Sequence, residues 1–113
     1  MERIKLYQQK IAQLLAEQAV DQYRNAPDLN DQIVCDYKSN NFQLLTVGWQ
    51  GDRYKFIVQF HFTIHPNGKI WLMANNTDVL IAQELVKLGV PKDDIVLGFQ
   101  PAYLRPQTDY AVA

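Results

Sequence analysis

The sequence predicts one α+β domain: an N-terminal helix, an antiparallel β-meander of about four strands, a second helix, and a C-terminal tail docking back on the sheet. Three observations predict it. Apolar residues recur with helical spacing over residues 3–22, they alternate strictly over residues 53–65, and a capped and stopped helical pattern covers residues 78–88. The 113 residues suit a single domain, 1–113, and 48% of them are hydrophobic. A chain of this length buries about two thirds of its unfolded surface. It therefore needs no disulfide or metal to fold, and the lone Cys35 offers no internal disulfide.

In the first helix Ile4, Tyr7, Ile11, Leu14, Leu15 and Gln18 form one face, and Gln8, Gln9, Gln13 and Glu17 the other. The pattern ends at Asn25-Ala26-Pro27-Asp28, a loop signal. A strand follows at 32–38, carried by Ile33, Cys35 and Tyr37. A second at 42–49 is apolar on both sides, through Phe42, Leu44, Leu45, Val47 and Trp49. The stretch Gly48-Trp49-Gln50-Gly51-Asp52 reads as a turn, with a bulge placed at Gly48.

Residues 53–65 give the clearest pattern, with Tyr54, Phe56, Val58, Phe60, Phe62 and Ile64 on one side. The run exceeds the usual strand length, so a bend or bulge is expected within it. His65-Pro66-Asn67-Gly68-Lys69 closes a hairpin through a three-residue loop with glycine in the left-handed position. That sets His65 opposite Lys69, Thr63 opposite Trp71 and His61 opposite Met73. In the second helix Thr77 is the expected N-cap, and Val79, Ala82, Leu85 and Val86 the buried side, with Ile81 at its edge. Gly89 stops it, Val90 packs back on Leu85, and Pro91 prevents continuation. The tail holds a short apolar run, Ile95 to Phe99, and ends in a short strand or docked segment from Thr108.

Two helices cover one face of such a sheet, and the other face should be polar. By the register above it carries Ile57, Gln59, His61, Thr63, Trp71 and Met73, joined by Leu45, Val47 and Trp49. Exposed patches of this kind mark interaction sites. Either the C-terminal tail covers this face or a protein partner does, a second copy or a different chain.

Eleven basic residues meet twelve acidic ones, for a net charge of −1, and the basic residues are scattered. Autonomous nucleic-acid binding is built on a basic patch, so stand-alone binding is not expected. No stretch approaches the roughly 20 apolar residues of a membrane span, and the N-terminus lacks a signal peptide's apolar core. The expected location is cytoplasmic.

No catalytic, metal or cofactor motif emerges. His61 and His65 stand four residues apart in a strand, about 13 Å between Cα atoms, too far to share one zinc. His61 reads as a hydrogen-bonded interface or core histidine. The enzyme alternative makes it a general base paired with Glu84 or Asp94 in a small hydrolase. Cys35 reads as an inert core thiol, Asp93-Asp94 as a turn or helix start, and Arg105 with Thr108 as a local hydrogen-bonding pair. The dispersed glycines make no phosphate loop.

Five stretches together resemble one family. They are Leu45-Thr46-Val47-Gly48-Trp49-Gln50-Gly51, Gly68-Lys69-Ile70-Trp71-Leu72, Ile81-Ala82-Gln83-Glu84-Leu85-Val86, the run from Gly89 to Phe99, and the ending from Arg105 to Ala113. Their order and spacing resemble the XisI family, the fdxN-element excision controlling factors. The resemblance implies an accessory role in programmed DNA rearrangement in heterocyst-forming bacteria, where a separate site-specific recombinase cuts and joins the DNA. It also implies a XisH-like protein as partner, and it supplies no catalytic residues. Thr63 departs from the family, which often has an acidic residue there.

Overall fold

The computed structural model describes residues 2–19 and 27–113. Its order is a helix α1 (Glu2–Gln18), strands β1 (Leu29–Asp36), β2 (Asn41–Gln50), β3 (Arg53–Ile64) and β4 (Ile70–Asn75), a helix α2 (Ile81–Lys87) and a strand β5 (Ile95–Leu97). Short 3-10 turns cover Lys92–Asp94 and Arg105–Gln107. Positions 20–22 of the expected first helix, and residues 25 and 26 of the loop after it, lie outside the described residues.

The sheet order is β1-β2-β3-β4-β5. The first four strands form the expected antiparallel meander. A fifth strand joins in parallel, Ile70 opposite Ile95 and Leu72 opposite Leu97, so the sheet is mixed. The apolar run at 95–97 thus becomes a strand, because the α2 crossover returns the chain in the direction of β4. The tail docks beside it: Ala111 bridges to Val96, and its N–H donates to Ile95 O at 2.8 Å.

The core lies between the sheet and the two helices. Tyr7, Ile11, Leu14 and Leu15 of α1 meet Phe42, Leu44, Phe60, Phe62 and Leu72 of the sheet, and Ile81 and Leu85 of α2 complete it. Tyr7 O–H donates to Asp94 Oδ2 at 2.5 Å, tying α1 to the turn before β5. Burial, and then the hydrogen bond to that carboxylate, push the Tyr7 hydroxyl up to about 12.

Each hairpin is set by its turn. Asp36 Oδ1 accepts from the N–H groups of Lys38 and Ser39, both at 3.0 Å, nucleating the β1–β2 turn. Gly51, at φ 63°, opens the two-residue β2–β3 turn in the place that demands a positive angle. Gly68, at φ 85°, completes the β3–β4 turn as expected, with His65 N–H donating to Lys69 O at 3.0 Å. Gly48 sits in no bulge. Its φ of 132° and the approach of Asp28 O, 1.9 Å from where a Cβ would stand, explain the glycine.

Two expectations about α2 are corrected. The helix begins at Ile81 with no side-chain cap. Thr77 Oγ1 instead accepts from Val79 N–H at 3.0 Å and donates to Asn75 Oδ1 at 2.8 Å. Asn75 Nδ2 also donates to Val79 O at 2.7 Å, so this turn holds 75–79 out of the helix. Ile81, expected at the edge, is fully buried. The C-terminus follows expectation: Gly89 N–H donates to Val86 O and Val90 N–H to Leu85 O, the paired bonds of a Schellman stop.

Candidate protein interface

The uncovered sheet face takes its shape from one extra residue in β3. Leu44 stands opposite Phe60, but Leu45 stands opposite Val58, so Gln59 is left over as a bulge. This is the irregularity expected in the long strand. It reverses the side chains on its N-terminal side. Phe60, Phe62 and Ile64 point into the core, whereas Tyr54, Phe56 and Val58 pair with Trp49, Val47 and Leu45 on the far face. The expectation that all six share one apolar side is therefore corrected.

The same shift corrects two candidate interface residues. Ile57 pairs with Thr46, whose buried side chain shares the helix side with Phe42 and Leu44. Gln59 is buried there as well, donating through Nε2 to Thr46 Oγ1 and, at 3.1 Å, to Asp31 Oδ1. Thr46 Oγ1 donates to the same carboxylate oxygen at 2.9 Å. Burial pushes the Asp31 carboxyl above its ordinary range, against the pull of these two donors.

His61, Thr63, Trp71 and Met73 do share the uncovered face. Thr63 stands opposite Trp71 as expected, but His61 stands opposite Ala74, because a second shift leaves Met73 as the extra residue of β4. Met73 and Trp71 both reach towards Gly98, where a Cβ would lie 2.8 Å from Met73 Sδ and 3.0 Å from Trp71 Cε3.

Trp71 is itself partly covered. The His65 ring stacks on it at 4.4 Å with 4° between planes, and the Arg105 guanidinium lies 4.8 Å from its centroid. Arg105 Nε donates to Gln100 O at 3.1 Å, and Thr108 Oγ1 donates to Arg105 O at 2.8 Å. The tail is thereby folded over one end of the face. Trp71 Nε1 and Thr63 Oγ1 are buried and make no hydrogen bond among the described residues.

The other end is open. Trp49, Tyr54 and Phe56 are 51%, 56% and 64% exposed, and the first two rings meet edge-on at 5.2 Å. Leu45, Val47 and Val58 form a half-buried floor beside them. Aromatic side chains on an aliphatic floor are the composition that concentrates binding energy at protein interfaces. Sequence reasoning missed Tyr54 and Phe56. The available signal was polar: Thr46 and Gln59 stand between apolar neighbours in two adjacent strands.

The residues weighed for catalysis are dispersed. His61 Nε2 lies 3.0 Å from Asn41 Oδ1, and burial holds its imidazole below the usual value. Asp94 is engaged by Tyr7 and lies 3.9 Å from Arg3 Nη1. Glu84 pairs with Lys87 at 2.9 Å. Neither carboxylate meets His61. Burial raises the Cys35 thiol above its usual value, which disfavours the thiolate. Among the described residues no three potential metal ligands gather, and no helix is long and apolar enough to cross a membrane.

Known proteins share this architecture. The chain is similar to the crystal structure of a XisI-like protein from Anabaena variabilis ATCC 29413, with 43% identity, a TM-score of 0.89, and coverage of 97% of this chain and 99% of that one. It is also similar to the crystal structure of the fdxN element excision controlling factor XisI from the same organism, with 28% identity, a TM-score of 0.79, and coverage of 98% and 99%. No curated protein matches it. Residues 1–112 match the family described as XisI protein, and the chain belongs to the XisI family.

Proposed function

We propose that this chain is a non-enzymatic controlling factor in the excision of a DNA element, working in the cytoplasm by contact with a XisH-like protein. The observation that carries the contact role is the open aromatic group Trp49, Tyr54 and Phe56 on its aliphatic floor. The relative named as an fdxN element excision controlling factor supports the process. A net charge of −1 supports action on DNA through another protein and not by direct binding. The small-hydrolase alternative gains no support, since His61 meets an amide and no carboxylate.

The test is co-expression with a XisH-like protein, followed by size-exclusion chromatography with light scattering. A hetero-complex is expected, lost on Phe56→Asp while circular dichroism stays unchanged. Separate elution of the two wild-type chains would refute the reading.

A further inference from the structure

The two edges of the sheet differ. The β5 edge is closed by the tail through the Val96–Ala111 bridge. At the β1 edge no described residue pairs with the outer side of the strand. Natural edges are blunted with proline, lysine, bulges or inward-pointing charges. Between Leu29 and Asp36 this strand has no proline, lysine or bulge, its register against β2 is unbroken, and its inward-pointing carboxylate, Asp31, is bonded by Thr46 and Gln59 of its own sheet. Its central residues, Ile33 and Val34, are 41% and 45% exposed.

The direction of its backbone groups can be read off. Trp49 N–H donates to Asp28 O at 3.1 Å, so Asp28 turns its carbonyl towards β2. N–H and C=O of one strand residue point the same way, and the direction alternates along the strand. Asn30, Gln32, Val34 and Asp36 therefore face β2, and Leu29, Asp31, Ile33 and Cys35 offer their backbone groups outward.

We infer that a second copy of this chain pairs with β1 antiparallel across a twofold axis at Ile33, joining the two sheets into one. An antiparallel ladder must set outward-facing residues opposite outward-facing residues. This excludes every register that places an odd-numbered residue against an even-numbered one, including the one that would oppose Asp31 to Asp36. Two registers then use nearly the whole strand. Centring on Gln32 sets Asp28 against Asp36 of the second copy, a like-charge contact that opposes pairing. Centring on Ile33 sets Ile33 against itself, Asp31 against Cys35, and Asp36 against Asn30. Charge decides for Ile33.

The proposal needs neither the open aromatic face nor a XisH-like partner, so it is tested on this chain alone. Size-exclusion chromatography with light scattering over a dilution series should show a species of twice 13.1 kDa at high concentration. Ile33→Pro removes an outward N–H that the chain's own sheet does not use, and proline is tolerated at such edge positions. It should give a monomer with an unchanged circular dichroism spectrum. Asp28→Lys should leave the dimer no tighter, whereas a Gln32-centred pairing, its Asp28–Asp36 repulsion turned to attraction, would tighten. A wild-type monomer throughout would overturn the inference. So would a dimer that survives Ile33→Pro, one that tightens on Asp28→Lys, or one lost on Phe56→Asp instead.

Discussion

The two halves of β3 carry the same alternating pattern and meet opposite fates. Phe60 and Phe62 are fully buried under the helices, while Tyr54 and Phe56 stand out on the far face. Composition does not separate them, since each half pairs aromatic residues with an aliphatic one. One inserted residue, Gln59, does. Because side chains alternate with a period of two, a single bulge exchanges the faces of everything on one side of it. The domain thereby builds a core and an exposed aromatic surface from one continuous strand.

The largest expected effect tests that contrast directly. Phe62→Ala removes a fully buried ring from the core and should destabilise the fold by about 3–5 kcal/mol. Phe56→Ala should stay within about 0.5 kcal/mol, the range of ordinary surface changes, while weakening the proposed partner contact. Urea denaturation of both variants checks the first claim. Equal losses would mean that Phe56 is as buried as Phe62.

The bulge itself comes next. Gln59→Ala leaves the strand its extra residue but removes the amide that donates to Asp31 and Thr46. Depriving a half-buried carboxylate of a donor should cost about 1–3 kcal/mol. Asp31→Asn made together with it should recover part of that loss, since the neutral amide has less need of the donor. A double-variant loss equal to the sum of the single losses would show that the two side chains act independently.

Much of this arrangement was legible in the sequence. The β3–β4 turn was fixed by Pro66-Asn67-Gly68, and the stop of α2 by Gly89-Val90, because backbone angle and hydrogen bonding there depend on neighbouring residues alone. A bulge somewhere in β3 followed from length. Its position did not, because Gln59 is set by Asp31 and Thr46, partners 28 and 13 residues away. The same limit explains the misplacement of Ile57, Gln59, Tyr54 and Phe56. Pairing of β5 with β4 depended on the crossover, which local pattern does not encode. Of the expected interface, Trp71 and Met73 were put on the right face, and cover by the C-terminal tail was one of the two expectations for it, but the contact of Arg105 with Trp71 was not foreseen. Arg105 lies 34 residues after Trp71 in the chain, and nothing near either residue marks the pairing.

The smallest expected effect is a pH dependence carried by His61. Burial lowers the His61 value below its usual 6.5 in the folded protein. The unfolded chain then takes up a proton more readily than the folded one, so this group's contribution is favourable to folding above pH 6.5. It drains away as pH falls through 6.5 towards the lowered folded value. His61→Gln keeps a side chain able to bond Asn41 and removes the titration. Thermal melts from pH 7.5 down to 5 should therefore show a steeper fall in Tm for the wild type than for His61→Gln. Parallel slopes for wild type and His61→Gln would place His61 in open solvent and remove it from the buried margin of the face.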